Sequence, residues 1–417
     1  MSFRNANLTT VPDEKPAHTI PYVNVAFSGA GVNGAAHVGA IKAIQTDLGG
    51  SLQPLQRIAG TSAGAIAAML VAVNCSAEQI EDLFLQIDFQ KIADGHNILN
   101  ELINLERQES KFDGLELRKT IITLLKKSCG NPNITFGELA ALGYKDLHIM
   151  TTRVGKRFGE GTTEPKIFCA ADTPHTKILP TVLASASIPG AFPPVLMKEV
   201  ADGEFVVVTD PNPDDADIIQ YCDGGAKHNL PLHVFDKKKY LSSFKATDTD
   251  GETHCFNPET IGIMICSPAE AAGPTKMTGL PPHQPLTYAL ALINGAFFGT
   301  QDTAFWHSRD RLRTALVSNN NISSTNFDIT REQEQLDISS GNKTLTAFLA
   351  ERKNLFNASD NVVTLSSFGK QQWQVPSSPV FGGNRKKSLT EPLLNQAGTA
   401  ADEEAEAKAG SKCCHIM

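Results

Sequence analysis

The chain has 417 residues, 41% of them hydrophobic and 20% charged, enough to bury one large core and still carry polar tails. A formal net charge of −8 excludes a nucleic-acid binder that relies on phosphate contacts. The eight cysteines are scattered with no C-x-x-C pair, the pattern of reduced thiols and not of a disulfide framework or a zinc site.

Residues 1–19, with Pro12, Asp13, Glu14, Lys15 and Pro16, are expected to form a disordered lead without the apolar core of a signal peptide. A single domain is expected over 20–357. Its first strand starts near Pro21, where Val23, Val25 and Phe27 alternate. The strand runs into Ser28-Gly29-Ala30-Gly31-Val32-Asn33-Gly34 and then directly into a helix, with His37, Ile41, Ile44 and Leu48 on its apolar stripe and Gly49-Gly50 as its cap. His37 is expected to be a packed core histidine.

The spacing of Gly29, Gly31 and Gly34 is formally that of a dinucleotide-binding turn. That use needs an acidic residue at the end of the second strand. The second strand, 56–59, delivers Gly60-Thr61-Ser62-Ala63-Gly64 instead. Successive backbone N–H groups at a helix start form an anion-binding concavity, so the glycine loop is better used as an oxyanion hole.

Residues 60–64 read as a G-x-S-x-G nucleophile elbow, because a strand precedes them and Ile66, Met69, Leu70 and Val73 mark one face of a following helix. That helix aims its free N–H groups and the positive end of its dipole at the serine. A plain small-residue turn in a packed α/β domain is the alternative. The apolar run 63–73 is far short of the ~20 residues a membrane-spanning helix requires, and the body is expected to be soluble.

Residues 77–129 read as helical, with breaks near 93–97 and 111–114, either covering the serine or forming an ordinary helical layer. A short helix at 137–143 precedes two strands, 146–153 and 166–170, with a turn over 155–163. A small-residue helix end breaks at Pro189 and leads through a proline turn toward another strand. Residues 204–208 and 218–222 are expected to pair as a hairpin around the acidic loop 210–215, which lacks calcium-loop spacing and reads as a solvated turn.

The second arm ends in Asp223-Gly224-Gly225, a strand-end carboxylate placed to reach a neighbouring strand's serine. To act as a general base it needs burial, to raise its pKa, and a direct hydrogen bond to Oγ. Residues 237–254 suit an exposed loop, 260–266 a late strand and 268–285 a Pro/Gly-rich crossing. Helices are expected from 286 to about 317 and over 330–355, and there is no internal repeat.

Four stretches carry a family resemblance: the glycine loop with Ala36-His37-Val38-Gly39, the 60–64 elbow, the run from Ala184 to Pro194, and Asp223-Gly224-Gly225 with Asn229-Leu230-Pro231. In this order and spacing, over about 21–355, the chain resembles the patatin-like phospholipase family. The resemblance implies an α/β, three-layer fold with a central, mostly parallel sheet flanked by helices. It implies a carboxylic ester hydrolase of phospholipase A or lysophospholipase type, cleaving glycerophospholipids or other acyl lipids without metal or cofactor. Ser62 would attack, Asp223 would take its proton, and backbone N–H groups around Gly29, Ala30, Gly31 and Val32 would hold the oxyanion. Asn33 stands where the family has a basic residue and Ala30 where it has a third glycine. Backbone donors survive both changes, and the lost charge bears on anion binding or substrate choice.

Residues 358–417 read as a flexible tail ending Cys413-Cys414-His415-Ile416-Met417. Cys414 fits C-a-a-X prenylation, with the non-aliphatic His415 against it. One isoprenoid gives marginal attachment, so acylation of Cys413 is the expected second signal, with Arg385-Lys386-Lys387 a more distant one. The expected partners are a phospholipid membrane, a prenyltransferase and an activating protein, and no nucleic acid. The expected location is a cytosolic membrane face, which suits a host enzyme and a bacterial effector inside a host equally. A transacylase, a non-catalytic membrane scaffold, and a triad hydrolase using His228 or His233 are the competing readings.

Overall fold

The structure, a computed structural model, describes residues 21–92, 114–157, 160–189, 191–200, 203–212, 215–241, 249–250, 254–272 and 309–355. The chain divides into two compact units, Met1–Gln372 and Trp373–Met417. The predicted lead, the tail with Cys413 and Cys414, and most of the predicted helix from 286 lie outside the described residues.

A nine-stranded sheet organises the first unit. In chain order its strands are β1 (Asn24–Phe27), β2 (Arg57–Thr61), β3 (Asp146–Arg157), β4 (Glu160–Phe168), β5 (Val195–Glu199), β6 (Phe205–Val207) and β7 (Ile218–Asp223). A separate two-stranded ladder, β8 (Thr249–Asp250) with β9 (His254–Cys255), precedes β10 (Thr260–Cys266) and β11 (Thr314–Ser318). The order β11-β10-β1-β2-β3 is wholly parallel, and β4, β5, β6 and β7 extend it antiparallel. The parallel strands β1 and β10 are buried along their whole length, as expected for strands covered on both faces.

Among the described residues the α-helices are α1 (Ala35–Asp47), α2 (Ala63–Ala72), α3 (Ala77–Phe84), α4 (Phe89–Ile92), α5 (Leu115–Cys129), α6 (Phe136–Ala141), α7 (Ile178–Ser185), α8 (Pro268–Ala271) and α9 (Arg331–Leu355). Every residue of α2 is buried, so this helix is apolar all round and packs inside the domain. The larger core joins α1, α2, α3, α5 and α9 to the sheet. On the opposite face Leu230, Leu232, Val234, Phe235 and Tyr240 cover Ala26, Ala59, Met150 and Met264. Among the described residues no helix is long and apolar enough to cross a membrane.

Four local expectations change. The turn over 155–163 is instead a continuation of the β3–β4 ladder, with Gly155 opposite Thr162. The hairpin of 204–208 with 218–222 does not form, because β5 lies between β6 and β7 and pairs with both. The last part of the helix expected to reach about 317 is instead β11, whose Thr314, Ala315 and Val317 are buried at the sheet edge. Tyr240, in the expected exposed loop, is buried against Phe235.

The register of β3 explains how two distant segments meet. β4 pairs with β3 from Ile149 through Arg157, β2 from Asp146 through Met150, and β7 from Thr151 through Val154. A strand has two edges, and β4 overlaps both other partners, so β2 and β7 must share the opposite edge, end to end. β2 runs with β3 and β7 runs against it, so their C-terminal ends face each other at the Met150–Thr151 step. Ser62 follows the last residue of β2, and Asp223 is the last residue of β7.

Candidate active site

Ser62 sits between β2 and α2 with φ 55° and ψ −126°. A non-glycine residue held there carries ~1–3 kcal/mol of backbone strain, which the surrounding structure must over-determine. Its N–H donates to Ser185 Oγ at 2.9 Å, and Ser185 Oγ donates to the Met150 carbonyl at 2.6 Å. Two residues on, the Ser187 carbonyl accepts the Asp223 N–H at 2.9 Å. The end of α7 therefore clamps both strand ends at their junction. In Ser185→Ala two buried polar groups lose their partner, at ~1–3 kcal/mol. A lower melting temperature together with a reduced kcat is the expected outcome, read by thermal melts and initial rates.

The Asp223 carboxyl is buried, with the Ser62 hydroxyl near enough to favour its ionised form. Oδ1 also accepts the Gly225 N–H at 2.7 Å. Burial raises its pKa to about 6, against the opposing pull of the nearby Ser62 hydroxyl and the Gly225 N–H. The serine lies along β3 from the carboxylate, and not on the strand beside it as its strand-end position suggests.

Of the four amides expected to form the anion cradle, two are committed elsewhere. The Gly29 N–H donates to the Asn229 carbonyl at 3.1 Å and the Val32 N–H to the Ser324 carbonyl at 3.0 Å. The Ala30 and Gly31 amides have no hydrogen-bond partner among the described residues. Gly31 has φ 55°, and a methyl group on it would lie 1.9 Å from the Ser324 carbonyl oxygen. Asn33 is buried and donates to the Ile322 carbonyl at 3.1 Å, tying the loop to the segment after β11. Asn229, half-buried, links the glycine loop to the turn after Asp223, and Thr61 Oγ1 donates to the His228 carbonyl at 3.3 Å.

A narrow cavity of about 50 Å³ opens at Ser62. It is lined by Gly31, Ala63 and Ile66, by Phe84 of α3, by Phe89 and Ile92 of α4, by Leu117 of α5, and by Ile87, Phe192 and Phe327. The polar side chains lining it are Ser62 and Thr120. The helical segment after the elbow thus supplies one wall over the serine.

Other titratable groups are occupied. His37 is fully buried, which lowers its pKa to about 4 against the effect of its bond to Ser28. The neutral ring donates from Nε2 to the Ser28 carbonyl at 2.8 Å. His233, Asp236 and Asp310 form the one cluster of metal-type ligands among the described residues. The Arg313 guanidinium fills it, with 2.6 Å contacts to Asp236 and Asp310. Burial pushes Asp310 up, but the His233 hydrogen bond and the Arg313 charge override it and hold the carboxyl below the usual range. No histidine among the described residues is a hydrogen-bond partner of Asp223.

The patatin-like phospholipase family model matches residues 25–236, which run from β1 past the carboxylate. The chain belongs to this family. An uncharacterized protein of Acanthamoeba polyphaga mimivirus is 25% identical over 317 residues, covering 75% of the patatin-like chain and 88% of its own. Triacylglycerol lipase 4 of Saccharomyces cerevisiae is 27% identical over 219 residues, 49% of this chain and 22% of the lipase. The solved structure of VipD from Legionella pneumophila matches with a TM-score of 0.43 at 16% identity, covering 82% of this chain and 70% of that one. Family membership and the lipase relative support a lipid hydrolase activity.

Proposed function

We propose that the protein is a serine acyl hydrolase that cleaves fatty-acyl esters of glycerophospholipids through Ser62 and Asp223. The observation that carries this reading is the strand register that brings Ser62 and the buried Asp223 carboxyl to one step of β3, with Ser62 lining an apolar cavity. Ser62 Oγ attacks the ester carbonyl as its proton passes to Asp223. The Ala30 and Gly31 amides hold the oxyanion, assisted by the N-terminal end of α2. Collapse expels the lysolipid alcohol, which takes the proton from Asp223. Water, deprotonated by the same carboxylate, then releases the fatty acid. The cavity suits a single hydrocarbon chain once its aromatic side chains part, since pockets that enclose ligands run to ~300–1,000 Å³.

The test is mass spectrometry of mixed phospholipid vesicles incubated with the full chain. Fatty acid and lysolipid are expected from the wild type, with an about ten-thousandfold slower release by Ser62→Ala. His228→Ala and His233→Ala should retain activity. Undiminished release by Ser62→Ala, or loss in either folded histidine variant, would exclude the dyad. Prenylation at Cys414 and acylation at Cys413 would hold this activity at a membrane surface, and the mass of the C-terminal peptide from eukaryotic cells reads both.

A further inference from the structure

Asp337 of α9 is a buried carboxylate that the acyl-transfer chemistry leaves unused. It is 0% exposed, and its Oδ2 has no hydrogen-bond partner among the described residues. Buried polar atoms are almost always paired, so such an oxygen calls for a reason. An apolar side chain at this place on α9 would avoid the cost. The other oxygen, Oδ1, accepts a proton from Asn320 Nδ2 at 2.7 Å. Glu334, one turn earlier on α9, is paired instead with Arg331 at 2.5 Å.

Asn320 belongs to the turn that leaves β11. The Asn319 N–H donates to the Cys266 carbonyl at 2.9 Å, and Asn320 and Asn321 follow in the left-handed region, with φ 52° and 62°. Ser318 Oγ accepts the Asn320 N–H at 3.0 Å, and the Asn319 carbonyl accepts the Ile322 N–H at 2.9 Å. From α9, Ser340 Oγ adds a second tie, to the Ser318 carbonyl at 3.2 Å. The same turn then meets the glycine loop. Its Ile322 carbonyl accepts from Asn33 Nδ2 and its Ser324 carbonyl from the Val32 N–H. Asp337 thus stands at the outer end of a hydrogen-bonded bracket whose inner end grips the residues next to Ala30 and Gly31.

We propose that Asp337 is a positioning residue: through Asn320 it fixes the Ile322 and Ser324 carbonyls, and through them the oxyanion amides of Ala30 and Gly31. This role rests on the acyl-hydrolase reading above. Asp337 does not line the Ser62 cavity, so losing its contact should leave substrate binding alone and weaken the state in which the oxyanion has formed. Phe327, further along the same segment, does line the cavity, and a short acyl ester keeps it out of the measurement.

The experiment compares Asn320→Gly with Asn321→Gly in the full chain, on p-nitrophenyl butyrate. Glycine adopts the left-handed backbone at both positions, so the two variants share any entropic effect on folding. The first removes the amide that meets Asp337. The Asn321 side chain is exposed, and only its backbone N–H is engaged, by Asn319 Oδ1. In Asn320→Gly, kcat is expected to fall about tenfold at unchanged KM. A short-chain trifluoromethyl ketone, which forms a tetrahedral adduct with Ser62, should bind about tenfold more weakly. Asn321→Gly should stay within about twofold of the wild type in all three quantities. Asp337→Asn keeps an acceptor for Asn320 and should keep its rate. Asp337→Val should match Asn320→Gly, and the double variant should be no slower than either, since one contact is lost in each case. If the buried variants do not fold, the two glycine variants carry the test. Equal kcat in those two overturns the proposal, as does a loss confined to KM with unchanged affinity for the ketone. Wild-type ester cleavage that survives Ser62→Ala removes the acyl-hydrolase reading itself, and this role with it.

Discussion

Asp223→Asn is expected to slow acyl-ester cleavage by about a thousandfold while melting at a higher temperature than the wild type. The two effects share one cause. Burial raises the Asp223 pKa from 3.8 to about 6, so the folded protein holds this proton more tightly than the unfolded chain does. Ionisation therefore opposes folding, and the penalty develops as the pH rises from the unfolded to the folded pKa. At neutral pH it is on the order of 3 kcal/mol. A neutral amide escapes that cost, and its oxygen still accepts the Gly225 N–H. It cannot take the Ser62 proton. In the wild type the base must be ionised, so kcat/KM should fall as the pH drops through about 6. Rates between about pH 5 and pH 8, paired with thermal melts, check both halves. A variant that melts lower than the wild type, or that keeps its rate, removes Asp223 from the role of base.

Gly31→Ala is expected to cost activity by a further mechanism, loss of the oxyanion donors. Alanine at φ 55° is strained by ~1–2 kcal/mol, and its methyl group would meet the Ser324 carbonyl oxygen at 1.9 Å. That oxygen already accepts the Val32 N–H, so it cannot withdraw without releasing the loop. The amides of Ala30 and Gly31 then leave their positions, and removing one such donor typically costs a hundred- to a thousandfold (~10²–10³) in kcat. Gly29→Ala provides the comparison. Its methyl group would meet Asn229 Oδ1 at 2.5 Å, the end of a side chain that can rotate away, and no positive φ is involved. Initial rates on a soluble ester should therefore rank Gly31→Ala well below Gly29→Ala. Equal rates would place the oxyanion elsewhere.

The residues of the site were more legible in the sequence than their assembly. Ser62 is legible because an extended run, a small-residue turn and an apolar helix follow one another without interruption. Asp223 is legible as a carboxylate at a strand end followed by glycines. The route between them is not, because sharing one edge of β3 is a matter of register between segments far apart in the chain. The same limit explains the unformed hairpin. Two strand-like runs around a Pro/Asp loop are a strong local signal, but Val195–Glu199 competes for both. At β11, Leu312, Ala315 and Leu316 continue a helical spacing, and only pairing with β10 decides for strand. The commitment of the Gly29 and Val32 amides depends on Asn229 and Ser324, which no motif around the loop announces. Ser185 belongs to a quoted motif, yet its hydroxyl gains a purpose only beside the Met150 carbonyl.

The head-to-head meeting of β2 and β7 makes β3 a ruler for the chemistry. The gap between alcohol and acid is measured off two consecutive residues of one strand, so the helices other than α2 and α7 can drift, lengthen or be exchanged without retuning it. The reverse also follows. One extra residue looped out of β3 at the Met150–Thr151 step would part the pair by about 3.3 Å, more than a proton can be handed across, and leave the remaining layers of the molecule as they were.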